Sequence, residues 1–255
     1  MVTLKTEAEL ATMRGAGRVV ARTLAAVASA AQPGVRLDQL DERARDAIAS
    51  LGAKPSFLDY HPSWAPRPYP AVVCLSVNHE IVHGIPGGRV LRDGDLLSID
   101  CGAYVDGLHG DAAVTVGVGD IDDASQRLSE ATRQALDAGL KACRPGARLG
   151  DISAAIGTVA QHHGYGVPDR LGGHGIGTAM HEDPPVPNTG RAGRGVPLRE
   201  GLVLAIEPMF VAGGRGDHRT LPDGWTVVSR DGSRAAHFEH TVAITASGPR
   251  VLTVA

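Results

Sequence analysis

The sequence predicts an α+β domain in which one unit, two helices followed by strands, occurs twice. Three observations predict it. First, "PGVRLDQLDERARDAIASLG" (Pro33–Gly52) and "PGARLGDISAAIGTVAQHHG" (Pro145–Gly164) align without a gap. Leu37, Leu40, Ala44, Ala47 and Ile48 then match Leu149, Ile152, Ile156, Val159 and Ala160, at the spacing of one helix face. Second, each segment follows a longer amphipathic helix and precedes a Gly/Pro-rich passage and then strands. Third, polar residues recur in one order. The first half has His83 in "VHGIP", Asp100 ending "LLSID" and Asp111 opening "DAAVT"; the second has His174 in "GHGIG", Glu207 ending "LVLAIE" and Glu239 opening "EHTVAIT". The join falls near Gly117–Asp123, so a single domain over residues 1–255 divides into halves of about 1–118 and 119–255.

Taken in order, the first helix is expected from Thr6 to Ala31, opened by the capping box Thr6-x-x-Glu9. The second lies in Pro33–Gly52, the third over about Ala124–Cys143 and the fourth in Pro145–Gly164. A net charge of −3 gives no bulk attraction for nucleic acid or an anionic membrane. No apolar run approaches the ~20 residues of a membrane helix, and "MVTLKTEAEL" lacks the core of a signal peptide. Cys74, Cys101 and Cys143 form no C-x-x-C pair, which fits reduced thiols in a cytoplasmic protein better than disulfides or a zinc ribbon.

The strands around Asp100 and Asp111 raise a question of charge. "DLLSIDCGAYV" and "DAAVTVGVG" flank Asp106-Gly107, a two-residue hairpin signal. With that loop, Val105 pairs with Leu108 and Gly102 with Asp111, and Asp100 is a diagonal neighbour of Asp111. A loop at Val105-Asp106 would set the aspartates directly opposite. Either way their Cβ atoms share one face, roughly 4.5–8 Å apart. Two carboxylates so close repel, more so when buried. Four acids in two matching pairs, joined by His174, are tolerable if cations neutralise them. Two divalent ions balance four carboxylates. Oxygen donors with one imidazole suit Mn, Fe or Co, with Zn a further option. Acids that bridge two ions ~3.5–4 Å apart are the recurring centre of hydrolytic dimetal enzymes.

The same residues carry a family resemblance. "NHEIVHGIP", "SIDCGAYVDGLHGDAAVT", "GGHGIGTAMHEDPPVPN", "LAIEPMF" and "DGWTVVSRDGSRAAHFEHTVAIT" together resemble the methionine aminopeptidases over nearly the whole chain. The short interval from His174 to Glu207 and the absence of an N-terminal zinc-binding or proline-rich extension are similar to the bacterial type I enzymes. The resemblance implies the duplicated pita-bread fold, a curved antiparallel sheet cupping the site with helices on its back and a pseudo-twofold between the halves. It also implies removal of the initiator methionine from nascent chains whose second residue is small. Asp100 would chelate one metal, Asp111 and Glu239 would bridge both, and His174 and Glu207 would complete the shell of the second metal. Glu207 would also relay a proton to the leaving amine, His181 would stabilise the tetrahedral intermediate and His83 would hydrogen-bond the substrate. Tyr69, Cys74, Met180 and Trp225 would line the methionine pocket. The expected setting is a cytoplasmic monomer, with Arg215, Arg219 and Arg230 as one exposed rim for transient ribosome contact. A proline-directed pita-bread peptidase, of the prolidase or aminopeptidase P type, is the alternative.

Two features fall outside that pattern. "YHPSWAPRPYP" (Tyr60–Pro70) is six residues longer than the compact "YHGYP" of many bacterial members. It reads as a surface insertion, with contact of Trp64 or Arg67 to the substrate as the other reading. His61, His79, His109, His218, His237 and His240 lie in or beside motifs without needing to bind anything.

Overall fold

The computed structural model describes residues 2–255. The chain begins with α1 (Glu7–Ala30) and α2 (Leu37–Ser50), followed by β1 (Lys54–Pro55), β2 (Val73–Val77), β3 (Glu80–Val82), β4 (Leu96–Val105) and β5 (Leu108–Gly117). The second half repeats the order with α3 (Asp123–Ala142), α4 (Leu149–His163), β6 (Gly172–Gly175), β7 (Glu182–Pro187) and β8 (Val203–Ile206). Short strands β9 (Met209–Val211), β10 (His218–Thr220), β11 (Val227–Ser229) and β12 (Ala235–His237) intervene before β13 (His240–Thr245) and β14 (Gly248–Val251).

Local sequence accounts for each boundary. The Thr6 hydroxyl accepts the Glu9 N–H while the Glu9 carboxylate accepts the Thr6 N–H at 2.7 Å, the capping box of α1. Asp122 caps α3 through the Ser125 N–H, and Gly164 ends α4 in the left-handed conformation, φ 71°. Asp106 and Gly107 both have positive φ, 46° and 90°, as the two-residue hairpin turn demands. The observed register pairs Val105 with Leu108 and Gly102 with Asp111, which selects the diagonal arrangement of the aspartates.

All strand pairs are antiparallel. In the first half β4 lies between β2 and β5, and α1 and α2 cover the sheet through an apolar core that includes Val20, Leu24, Leu40, Ile48, Leu75 and Ile99. Gly110 lets α1 lie close on β5, since a Cβ there would stand 3.0 Å from the Gly17 nitrogen, and Gly17 lets α1 lie against the Leu252 carbonyl. In the second half the order is β14-β13-β8-β6-β7, backed by α3 and α4 through Leu128, Ile152, Ile156, Leu204 and Ile206. This is the helix-backed, antiparallel α+β architecture expected from the sequence.

The halves meet along β5. The Glu239 N–H donates to the Ala113 carbonyl at 2.9 Å, and the Thr241 hydroxyl accepts the Asp111 N–H at 2.9 Å. Thr115 accepts the His237 N–H at 2.9 Å and donates to its carbonyl at 2.7 Å. This seam sets Asp111 beside Glu239.

Candidate functional site

Each acid arrives at the seam on a different stretch of backbone. Asp100 and Asp111 come from adjacent strands β4 and β5, Glu207 from the position just after β8, and Glu239 from the position just before β13. His174, on β6, pairs with Ala205 of β8, which brings its ring over the same face. These five side chains line one cavity of about 200 Å³ together with His83, His181, Tyr69, Cys74 and Trp225. Met180 lies in the adjoining apolar cluster with Tyr69 and Trp225, not on the cavity wall.

The electrostatics of the cavity call for cations. Burial first, and then repulsion from Asp100 and Glu207, push the Asp111 carboxyl well above the usual carboxylate range. Burial raises Asp100 and Glu207 in the same sense, and Glu239 is raised by burial and by the other three acids. One oxygen each of Asp100, Asp111 and Glu239 is fully buried with no hydrogen-bond partner. Native interiors rarely leave such atoms unmatched.

His174 strengthens the point. Its Nδ1 lies 2.8 Å from the Gly175 carbonyl oxygen, which can only accept, so the ring proton sits on Nδ1. Nε2 therefore presents a lone pair, 3.7 Å from Glu207 Oε1 and 4.0 Å from Asp111 Oδ2. A lone pair aimed at carboxylate oxygens is repulsive unless a cation lies between them. A histidine held by a carbonyl at one nitrogen is also the usual form of a metal ligand. Burial holds the ring neutral, down to about 4.

Among the described residues two groups of donors converge closely enough for a metal ion: Asp111, His174 and Glu239, and Glu207, His237 and Glu239. The donor set fits divalent cations of borderline hardness. His237 is the residue that sequence reasoning passed over. Its Nε2 is buried and unpartnered, 3.5 Å from Glu207 Oε2 and 3.9 Å from Glu239 Oε2. The signal was available: His237 and Glu239 are two apart in an extended segment and so share a face.

The two histidines beside the acids are also neutral. Burial brings His181 down to about 3 and His83 to about 4, in each case helped by a neighbouring histidine. His83 follows β3 with φ 60°, a backbone conformation that is rare outside glycine and that gathers at functional sites. Its Nδ1 is buried without a partner. Phe57 and Tyr60 line the cavity as well, although the sequence did not single them out. The Tyr60 hydroxyl lies 2.8 Å from His181 Nδ1, and the two rings stack at 5.3 Å.

Away from the acids the cavity closes on apolar groups: Tyr69, Trp225, Cys74 and Phe57 are 1%, 4%, 5% and 7% exposed. The Tyr69 hydroxyl is engaged with the Gly84 and Val73 carbonyls, and the Trp225 indole N–H donates to the Arg67 carbonyl at 3.0 Å. The polar tips thus point away and leave ring surface to the cavity.

The family model described as metallopeptidase family M24 matches residues 11–246. The chain belongs to that family. Methionine aminopeptidase 1 of Mycobacterium tuberculosis (strain CDC 1551 / Oshkosh) is 51% identical, over 100% of this chain and 96% of its own length. Methionine aminopeptidase 1 of Bacillus subtilis is 46% identical, over 99% of both. The crystal structure of methionine aminopeptidase from Thermotoga maritima superposes with a TM-score of 0.96 at 41% identity and covers 100% of both chains. The duplicated architecture is therefore the pita-bread fold of M24, a metallopeptidase family, and the donors that converge in the cavity at its seam suit a divalent metal.

Proposed function

We propose that this M24 metallopeptidase is an aminopeptidase that removes methionine from polypeptide N-termini when the second residue is small. The observation that carries the reading is the placement of four buried carboxylates and the metal-ready His174 beside a closed pocket of aromatic rings and a thiol. In this reading Asp100, Asp111, His174, Glu207 and Glu239 would hold two divalent ions drawn from Co, Mn, Fe and Zn. Bound there, such ions supply Lewis acidity and a water nucleophile near neutral pH.

The chain's own residues do the remaining work. The first side chain of the substrate enters the closed end, where Cys74 and the faces of Tyr69, Trp225 and Phe57 suit a flexible thioether. Glu207 takes a proton from the attacking water and passes it to the leaving amine. His181 donates to the carbonyl oxygen as charge develops there, from the tautomer that carries its proton on Nε2, with Nδ1 2.8 Å from the Tyr60 hydroxyl. His83, on the cavity wall, directs a ring nitrogen to the scissile amide. Nascent chains are the natural source of such substrates. The protein acts as a monomer in the cytoplasm, with ribosome contact through the rim of Arg215, Arg219 and Arg230.

The test is release of the first residue from Met-Ala-Ser, Met-Leu-Ser and Ala-Pro-Ser by metal-stripped protein reloaded with Mn, Co, Fe or Zn. Cleavage confined to Met-Ala-Ser is expected. Preference for Ala-Pro-Ser would replace this reading with the proline-directed one.

His237 enters the same scheme as the imidazole that steadies Glu207 and Glu239. His237→Ala is expected to weaken one equivalent of metal by roughly 10- to 100-fold, the usual cost of losing a group behind the ligands. Titration calorimetry with Mn or Co on the stripped protein measures it, and superimposable isotherms for the two proteins would exclude the role.

A further inference from the structure

The segment Tyr60–Pro70, with prolines at 62, 66, 68 and 70, is docked rather than loose. Its neck is closed by the Tyr69 N–H donating to the Tyr60 carbonyl at 2.9 Å. Inside it, the Ala65 N–H donates to the Pro62 carbonyl at 3.0 Å, and His61 Nε2 lies 3.1 Å from the Ala65 carbonyl oxygen. Its far side is pinned to the 221–226 loop: Arg67 Nε donates to the Asp223 carbonyl at 3.1 Å and Trp225 Nε1 to the Arg67 carbonyl at 3.0 Å. Pro66 packs against Gly224 so tightly that a Cβ there would stand 2.3 Å from Pro66 Cγ.

This fixed frame carries one aromatic ring to each of two histidines of the cavity, His181 and His83. Tyr60 stacks on His181, and Trp64 stacks on His83 with centroids 6.2 Å apart and planes at 22°. Trp64 also meets Trp225 edge-on at 4.9 Å. Trp64 lines the cavity, yet it is 61% exposed, against 1–7% for the rings and thiol of the closed end. An indole held in place with one face open is apolar contact surface that needs little further ordering.

We propose that Trp64 is a specificity-determining wall for the part of the peptide beyond the scissile bond, and that its open face takes the side chain of the third residue. The inference rests on the aminopeptidase reading. A peptide whose first side chain fills the closed end must leave past the mouth. An extended chain advances ~3.3 Å per residue, so the 6.2 Å from His83 to Trp64 spans roughly two residues from the amide that His83 addresses. Apolar, and above all aromatic, third residues gain from the indole; small polar ones do not.

The experiment crosses enzyme with substrate. kcat and KM are measured for wild type, Trp64→Ala and Trp64→Phe on Met-Ala-Phe and Met-Ala-Ser, with manganese-loaded protein. Wild type is expected to favour Met-Ala-Phe in kcat/KM by about three- to tenfold, mostly through KM, the range of a single aromatic contact. Trp64→Ala collapses that ratio toward one, and Trp64→Phe retains part of it. An equal ratio in all three proteins, or a wild-type ratio near one, overturns the proposal. If wild type removes alanine from Ala-Pro-Ser instead of methionine, the aminopeptidase specificity above has failed. The Trp64 test then runs unchanged on Ala-Pro-Phe and Ala-Pro-Ser.

Discussion

Asp111→Asn is expected to lower kcat/KM on Met-Ala-Ser by about three orders of magnitude, or ~4 kcal/mol of transition-state stabilisation. Asparagine keeps the size of the side chain but removes the charge of one of the four acids and, with it, a donor of the proposed metal site. Metal content is expected to fall in parallel, as read by elemental analysis after gel filtration. The fold should survive. The contacts that join the halves at this position run between the Asp111 backbone and Thr241, at 2.9 Å and 2.7 Å, and do not use the carboxylate. Metal-free Asp111→Asn should melt no lower than metal-free wild type, because the change relieves repulsion among buried acids. A variant within tenfold of wild-type activity would remove Asp111 from the metal centre.

Breaking the Lys5–Glu182 pair is expected to cost the protein about 3 kcal/mol, roughly 6–12 °C in Tm. Lys5 Nζ donates to Glu182 Oε2 at 2.6 Å, with both side chains at least nine-tenths buried. The other carboxylate oxygen accepts the Ala179 N–H at 3.1 Å and the Thr178 hydroxyl at 3.2 Å. Residues near the N-terminus thus brace the loop that carries His181. Burial alone would raise Glu182, but the hydrogen bonds from Lys5, Thr3 and the Ala179 N–H prevail and hold it down to about 2, from an ordinary value of 4.5. A depressed carboxyl lends its stability above its unfolded value and loses it as pH falls toward the folded one. The wild-type advantage over Glu182→Gln should therefore be full at pH 6, shrink below about pH 4.5 and fade toward pH 2. Urea denaturation at pH 6 and pH 3.5 measures it. A gap that stays constant between the two would show that the carboxylate charge is not what holds the loop.

Features governed by neighbours along the chain were legible. The capping box at Thr6 and Glu9, the end of α4 at Gly164 and the Asp106-Gly107 turn each follow from a few adjacent residues and their preferred φ and ψ. The repeat was legible because two matching helix faces need the same spacing, and the paired acids because period-2 alternation assigns a residue to a face before its partner is known. Those rules convert sequence directly into placement on an element.

What only the tertiary structure decided depends on which elements meet. Two hairpin registers were open until packing of α1 on β5 and the seam with residues 237–241 fixed one. His237 looked ordinary until that seam turned it toward Glu207, thirty positions earlier in the chain. Met180 and Tyr60 changed places in importance: burial took the first into the apolar cluster, and a hydrogen bond to His181 drew the second to the cavity. Trp64 and the Lys5–Glu182 pair belong to the same class, since a docked loop and an ion pair 177 residues apart leave no periodic trace. Short-range sterics and periodicity write element type and facing into the sequence. Long-range packing decides which faces share a cavity, and with it the electrostatics of the site.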